Sequence, residues 1–164
     1  MSETRVPWNM ASYLERVWSG CYVCKLLAGD EDFAHHIAYQ DERAVVFLCK
    51  YPAVRGHLMV APIDHRERVV GDFSEDEYVE LQRVVHRAGR ALESVVETER
   101  LYVLSLGSQQ GNRHVHWHLV PLPPGVPYEG QQLALLSEER GWLAIPDEEM
   151  STLASAIGAA LRST

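Results

Sequence analysis

One long stretch of helical periodicity, from Glu75 to Val96, is the feature that most constrains the fold. Ser74, with Glu77 three residues later, matches a capping box and predicts where the helix begins. Its apolar residues recur every three or four positions and form one stripe: Tyr78, Leu81, Val85, Ala88, Leu92 and Val95. The sequence therefore predicts one long amphipathic helix.

Short β-rich segments on both sides of this helix predict the rest of the fold. Residues 36–40 and 43–49 predict a hairpin, and 57–62, 101–106 and about 113–120 predict further strands. The prolines at positions 121, 123, 124 and 127 predict that regular strand pairing ends there. Residues 147–161 are alanine-rich and predict a second helix. We expect an α+β domain with a mainly antiparallel β-sheet and one long packed helix.

Composition narrows the class of protein. With 164 residues, 46% of them hydrophobic, the chain is expected to form one domain over 1–164. The formal charge of −8 argues against binding of a long nucleic acid, which requires basic residues to neutralise its phosphates. It allows a small anionic ligand in a local pocket. The apolar runs are strand-sized and the first residues lack a signal-peptide pattern, so we expect no membrane partner and a cytoplasmic location. Three cysteines argue against a disulfide framework.

Three histidines alternate at positions 114, 116 and 118, in the sequence His-Val-His-Trp-His-Leu-Val. Successive side chains of a strand point to opposite faces, so the three imidazoles would share one face about 6 to 7 Å apart, with Trp117 on the other. Such a row can bind a metal, although no carboxylate lies between Asn112 and Pro127 to complete the site. The alternative is nucleophilic catalysis, in which a neutral imidazole attacks phosphorus and neighbouring donors stabilise the phosphoryl oxygens.

Two cysteines near the N-terminus form a second motif. Cys21 and Cys24 have the spacing that lets two thiolates reach one tetrahedral zinc ion. The spacing alone is equally compatible with a pair of half-buried thiols. A redox role would need a thioredoxin-like β-α-β context, which the sequence does not indicate.

The alternating segment from His114 to Val120 resembles the signature of the histidine-triad (HIT) superfamily, His-x-His-x-His-x-x with apolar residues at each x. The segment from Arg55 to Pro62 resembles the family's Gly-His strand, and the one from Pro62 to His65 resembles its Pro-x-x-His turn. The resemblance covers roughly residues 21–121. It implies a HIT-like core over this range, with residues 122–164 as a C-terminal extension.

The resemblance also implies roles for single residues. His116 would be the nucleophile that becomes nucleotidylated, His118 would contact the phosphate, and His57 would line the phosphate pocket. The residues expected around the nucleotide are Gln110, Ser108 and Arg113 on the phosphate side, and Phe47 and Ile37 around the base. Arg113 is equally explained as a solvated side chain, and the two apolar residues as ordinary sheet core.

A structural zinc is the cofactor that the resemblance implies. Several branches of the family hold it with two cysteines, the histidine of the Pro-x-x-His turn and the first triad histidine, and the matching residues here are Cys21, Cys24, His65 and His114. Four protein ligands make a closed site, so the metal would hold the N-terminal segment to the core without activating water. One departure is Gly111, at a position where some branches carry a small hydroxyl residue.

These features predict a nucleotidyl hydrolase or transferase that cleaves a nucleoside phosphate, by resemblance that of adenosine, at the α-phosphorus through a nucleotidyl-His116 intermediate. The expected partners are a small nucleotide substrate and, by resemblance, a second copy in a homodimer. Two alternatives stay open: a nucleotide-binding regulatory protein with negligible turnover, and a metal-dependent hydrolase that uses the triad as ligands. The remaining histidines, His35, His36 and His86, are predicted to lie at the surface.

Overall fold

Antiparallel strands form the central layer of the protein. The computed structural model describes residues 4–163. Their strands are β1 (Arg5–Val6), β2 (Ile37–Gln40), β3 (Ala44–Leu48), β4 (Leu58–Pro62), β5 (Arg100–Ser105), β6 (Trp117–Leu122) and β7 (Trp142–Leu143). The large sheet has the order β2-β3-β4-β6-β5, and each neighbouring pair is antiparallel. Strands β1 and β7 pair with each other, apart from this sheet.

Four α-helices accompany the strands in the described part of the chain: α1 (Met10–Trp18), α2 (Tyr22–Leu27), α3 (Glu75–Val95) and α4 (Asp147–Arg162). The predicted capping box begins α3, because the Ser74 hydroxyl accepts from the Glu77 backbone N–H and the Glu77 carboxylate accepts from the Ser74 N–H. None of the helices in residues 4–163 combines the length and the apolar character needed to cross a membrane.

The two faces of the sheet have different coverings. On β3, the side chains of Ala44, Val46 and Leu48 pack against α3 and α4, whereas Val45 and Phe47 pack on the α2 side. The whole strand is buried because both faces are covered. On β6, Trp117 and Leu119 belong to the α3 and α4 side, so the alternation of a strand places His118 on the α2 side. The predicted α+β architecture is thus confirmed.

The predicted C-terminal extension contributes to this same core. Five side chains of α4 are buried in the main cluster: Met150, Leu153, Ala154, Ile157 and Leu161. Gly158 lets the helix approach β2 closely, because a Cβ there would lie 2.2 Å from the carbonyl oxygen of Ala38.

Strand β6, which was predicted to span about 113–120, begins and ends at other residues in the structure. It begins at Trp117 instead of Arg113, because the preceding segment bonds elsewhere: the Val115 N–H donates to the carbonyl oxygen of Arg66. It also continues through Pro121, which is paired with Leu101 of β5. The register with β4 ends at Leu119, so Pro121 lies where its missing N–H breaks no ladder bond to that strand.

Candidate active site

A cavity of about 360 Å³ opens on the α2 side of the sheet. Four histidines line it, His35, His57, His116 and His118, and the last three lie next to one another. Strand β6 places His118 opposite Met59 of β4, which directly follows His57 and Leu58 in the chain. The ring centroids of His116 and His118 are 4.9 Å apart, and those of His57 and His118 are 5.2 Å apart. The first distance is shorter than the roughly 6 to 7 Å expected for alternate residues of a strand, and His116 itself lies just before β6.

Hydrogen bonds fix the proton positions on His57 and His118. The backbone N–H of Ala53 donates to Nδ1 of His57 at 3.2 Å, so Nε2 of His57 carries the proton. This Nε2–H donates to Nδ1 of His118 at 2.9 Å. The proton of His118 therefore lies on its Nε2, and this N–H is a donor for a ligand.

The pKa values of this pair keep both rings neutral. Burial lowers the pKa of His57 to about 4, with a smaller contribution from His116. Burial and the neighbouring His57 lower the pKa of His118 further. Neutral rings are also what the hydrogen bond between them requires, since one nitrogen must donate and the other accept.

The opposite tautomer is set on His116. Its Nδ1 lies 2.7 Å from the carbonyl oxygen of His114, so Nδ1–H donates and Nε2 keeps its lone pair. Within the described residues Nε2 has no hydrogen-bond partner, and burial lowers the pKa of the ring, which favours the neutral form. The Ser105 hydroxyl donates to the carbonyl oxygen of His116 at 2.7 Å and holds the segment in place. The cavity thus contains an unprotonated imidazole nitrogen beside an imidazole N–H.

A second cluster lies beside the cavity and joins Cys21, Cys24, His65 and His114, whose donor atoms are all within 4.8 Å of one another. The Nδ1 atom of His114 lies 3.4 Å from Cys21 Sγ and 3.7 Å from Cys24 Sγ, and that of His65 lies 3.3 Å from Cys24 Sγ. With Zn–S of about 2.3 Å and Zn–N of about 2.0 Å, a tetrahedral site has S···N edges of about 3.5 Å. The four residues can therefore hold a zinc ion.

The far side of each histidine ring supports this assignment. Nε2 of His114 donates to the carbonyl oxygen of Pro62 at 2.8 Å, and Nε2 of His65 lies 3.1 Å from the Glu67 carboxylate. Both bonds leave Nδ1 as the unprotonated nitrogen that faces the thiols, which is the usual arrangement of metal-binding histidines. Burial lowers the pKa of His114 to about 4, so the ring is in the neutral form that binds metals.

Of the residues predicted to surround the nucleotide, one lines the cavity and four do not. Phe47 is fully buried and lines the cavity. The side chains of Ile37, Ser108, Gln110 and Arg113 are exposed and lie outside its lining. The backbone N–H of Gln110 donates to the Ser108 hydroxyl within a tight turn, so this hydroxyl is engaged locally.

Helix α1 covers the loop before the triad, which the sequence did not indicate. A Cβ at Gly111 would lie 2.2 Å from Cγ1 of Val17, so a side chain at this position would require the Val17 side chain or the loop to shift. The Asn112 side chain also donates to the Tyr13 hydroxyl at 3.0 Å. The sequence did contain one signal for α1: Asn9 is a residue type that often caps the start of a helix, and its side chain accepts from the Ser12 N–H.

The sequence also placed His35 at the surface, and this was wrong. The residue is half-buried and lines the cavity, with its ring centroid 5.2 Å from that of Phe47. Its Nδ1 lies 2.7 Å from the carbonyl oxygen of Phe33, in the turn that leads to β2. A single histidine in a loop gives no periodic signal, so only the fold reveals this position.

Comparisons with known proteins agree with the geometry. An uncharacterized HIT-like protein of Saccharolobus solfataricus is 30% identical over 104 residues, which are 62% of this chain and 73% of that protein. The crystal structure of a hypothetical histidine triad nucleotide-binding protein from Sulfolobus tokodaii aligns with a TM-score of 0.69 at 22% identity, covering 87% of this chain and 93% of the other. A Zn-bound histidine triad family protein from Mycobacterium smegmatis aligns with a TM-score of 0.66 at 24% identity, covering 88% and 97%. The HIT domain profile matches residues 31–124, more than half of the chain, and the protein therefore belongs to the histidine-triad (HIT) family.

Proposed function

We propose that the protein is a nucleotidyl hydrolase or transferase that cleaves a nucleoside phosphate at the α-phosphorus, with His116 as nucleophile. One observation carries the proposal: the unprotonated Nε2 of His116 and the Nε2–H of His118 belong to neighbouring rings in the same cavity. A nucleophile beside a hydrogen-bond donor is what attack on a phosphoryl group requires. The ligand is a small nucleotide, and adenosine is the nucleoside expected from family resemblance.

The reaction proceeds in two displacements. The Nε2 lone pair of His116 forms a bond to the α-phosphorus, and the bond from phosphorus to the leaving group breaks with its electron pair on that group. The His116 ring then carries a positive charge, which the carbonyl oxygen of His114 stabilises through Nδ1–H. Water or an acceptor phosphate next attacks phosphorus, the P–N bond breaks, and the lone pair returns to Nε2. When water attacks, the proton that it loses passes to solvent. Throughout, Nε2–H of His118 donates to a phosphoryl oxygen.

His57 acts through His118. Both of its ring nitrogens are engaged within the protein, one by the Ala53 N–H and one by His118. It is therefore a positioning residue, whose effect is to hold the proton of His118 on the nitrogen that faces the ligand. The resemblance implied only that His57 lines the phosphate pocket, and the role proposed here is an indirect one.

Zinc is proposed for the cluster of two cysteines and two histidines. When bound, it supplies a structural link and no chemistry on the substrate, because four protein ligands leave no open position. The link reaches the cavity through Tyr22, which lies between Cys21 and Cys24 and has its ring centroid 5.7 Å from that of His116. The cluster thus holds one wall of the cavity in place.

Several expectations stay predictions. Substitutions of Gln110, Ser108, Ile37 and Arg113 would show whether these exposed residues meet the nucleotide. Sedimentation analysis would test the homodimer, and imaging of a tagged chain would test the cytoplasmic location.

The proposed function is tested by intact mass after a short incubation and acid-free quench. The substrates are diadenosine polyphosphates, adenosine phosphoramidate and nucleotide sugars, and His116→Ala is the matched variant. We expect an added nucleotidyl mass on the wild-type protein, located on His116 by peptide sequencing and absent from the variant. Nucleotide binding without any adduct or turnover would instead support the regulatory alternative.

A further inference from the structure

The charge of the cavity differs from that of the chain. Of the 164 residues, 23 are acidic and the formal charge is −8. Among the described residues that line the cavity there is no aspartate or glutamate, whereas Arg16 and Lys50 contribute two cations. A cavity with this lining attracts anions even though the protein as a whole is acidic.

The two cations are held next to each other. A guanidinium N–H of Arg16 and the ammonium group of Lys50 both donate to the carbonyl oxygen of Asp32, the latter at 3.2 Å. Arg16 also lies over the ring of Phe33, 4.7 Å from its centroid. In the described part of the chain neither cation forms an ion pair with a carboxylate, although the Asp32 carboxylate attracts Lys50 from a greater distance. Burial and the positive charge of Arg16 lower the pKa of Lys50, which reflects this crowding.

An aromatic wall, formed by Tyr22, His35 and Phe47, connects these cations with the nucleophile. The Tyr22 ring contacts those of His116 and His35, at centroid distances of 5.7 and 6.0 Å, and His35 contacts Phe47 at 5.2 Å. His35 marks the other end of the wall, because the charges of Lys50 and Arg16 both reach it and lower its pKa beyond the effect of burial. Aromatic rings of this kind are stacking surfaces for a nucleobase.

We propose that Arg16 and Lys50 form a subsite for a second phosphate group, carried on the ribose of the nucleotide that His116 attacks. The proposal rests on the proposed function, because it takes the α-phosphate to lie at His116 and the base to lie on the aromatic wall. With both in place, the cations lie beside the nucleoside half of the substrate and away from the leaving group. The substrate class is then a nucleoside 5′-phosphate derivative with an additional 2′- or 3′-phosphate.

Arg16 comes from a part of the chain outside the matched HIT domain. The HIT domain match begins at residue 31, so α1 lies outside it. The contact between Val17 and Gly111 fixes the helix against the loop before the triad, one residue after Arg16. The residues within the match alone would supply Lys50 without Arg16.

The test is calorimetric binding of four nucleotides to the zinc-loaded protein of residues 1–164. The nucleotides are adenosine 5′-monophosphate, adenosine 3′,5′-bisphosphate, adenosine 2′,5′-bisphosphate and adenosine 5′-diphosphate. The variants are Arg16→Gln and Lys50→Gln. The matched control is Lys25→Gln, which removes a cation that lies over the same Phe33 ring, at 4.3 Å, but does not line the cavity. Thermal melts of each variant verify the fold.

We expect one of the bisphosphates to bind about tenfold more tightly than the monophosphate, which corresponds to roughly 1.4 kcal/mol from charge-assisted contacts. Either subsite variant should remove most of this gain without weakening monophosphate binding more than about twofold. The gain should persist in Lys25→Gln and decrease with salt.

Three results would overturn the subsite. Equal affinity for monophosphate and bisphosphates would leave the proposed function intact and remove this inference alone. A gain seen with the diphosphate instead, and lost in the two variants, would assign the cations to the 5′-phosphate chain. Absence of binding by all four nucleotides would overturn the nucleotide assignment itself, together with the subsite.

Discussion

His114 and His116 are two residues apart, yet they belong to sites with opposite proton arrangements. On His114, Nε2–H donates to the carbonyl oxygen of Pro62, so Nδ1 is free to face the thiols. On His116, Nδ1–H donates to the carbonyl oxygen of His114, so Nε2 is free in the cavity. The position of one backbone acceptor therefore decides which ring nitrogen is free: Nδ1, facing the thiols, on His114, and Nε2, in the cavity, on His116.

The two regions also differ in how the chain assembles them. The metal cluster draws donors from the start of α2, the turn after β4 and the segment before β6. The cavity residues His57, His116 and His118 lie on or beside the adjacent strands β4 and β6, and a hydrogen bond joins His57 to His118. We therefore expect loss of the cluster to affect mainly stability, and loss of a reactive histidine to affect mainly turnover.

The largest effect is expected for His116→Ala. Removing the nucleophile should lower kcat by at least about 10³-fold, since the covalent route is lost. Zinc content and melting temperature should stay near those of the wild-type protein. Steady-state kinetics, elemental analysis and a thermal melt of the same preparation measure the three quantities. His86→Ala, on the exposed face of α3, is the control. Loss of zinc in this variant would show that the two sites are not separable.

His118→Leu should have the next largest effect. It removes the N–H that donates to the phosphoryl oxygen, and the loss of one such donor lowers kcat by about 10²-fold.

His57→Leu should lower kcat by a smaller factor. It removes the residue that fixes the tautomer of His118, but it leaves the His118 N–H in the cavity. If His57→Leu were the more damaging at equal thermal stability, direct contact between His57 and the substrate would be the better explanation.

Cys24→Ser should lower stability and zinc content more than turnover, the opposite of the histidine variants. A zinc ion present at about a thousandfold above its Kd stabilises a fold by about 4 kcal/mol, which corresponds to a melting temperature about 8 to 16 °C higher in a chain of this size. We expect the variant to lose zinc and this stability, with residual activity at temperatures where it is folded. Chelation of the wild-type protein should reproduce the shift. Complete inactivation of folded, metal-free protein that added zinc reverses at once would favour the metal-dependent hydrolase.

The smallest effect is expected for Gly111→Ser, which tests how α1 closes the cavity. The added side chain collides with Val17, and such overpacking lowers the free energy of unfolding by about 1 to 3 kcal/mol. Urea denaturation measures the change. The double variant Val17→Ala with Gly111→Ser should recover much of the loss because it restores the space. Equal destabilisation in the double variant would place the strain in the loop backbone instead of in the contact with α1.

Periodic and motif signals account for the parts of the fold that the sequence predicted. The stripe and capping box of α3 gave its start at Glu75 and its end within one residue. The strand before Cys49 was likewise predicted to within one residue at each end. The beginning of β6 was not predicted, because the backbone N–H of Val115 finds its acceptor in a distant loop, a choice that no local pattern encodes.

The residues of the candidate site that belong to a sequence motif could be predicted, and the others could not. The metal cluster and His57, His116 and His118 were predicted from motifs that resemble those of the family, whereas Arg16, Lys50 and His35 line the cavity through long-range packing that no motif indicates. The tautomers depend on acceptors such as the carbonyl oxygen of Pro62, whose position is a property of the fold. Sequence patterns therefore identify reactive groups, while their proton arrangement is visible only in three dimensions.

The central claim is that His114 binds zinc while His116 acts as nucleophile. Native mass spectrometry tests it most directly, because one spectrum reports bound zinc and covalent nucleotide together. The wild-type protein, mixed briefly with a diadenosine polyphosphate, should carry one zinc ion and one nucleotidyl group, and His116→Ala should carry the zinc ion alone. A nucleotidyl group on the variant, or a variant that has lost its zinc while folded, would contradict the account.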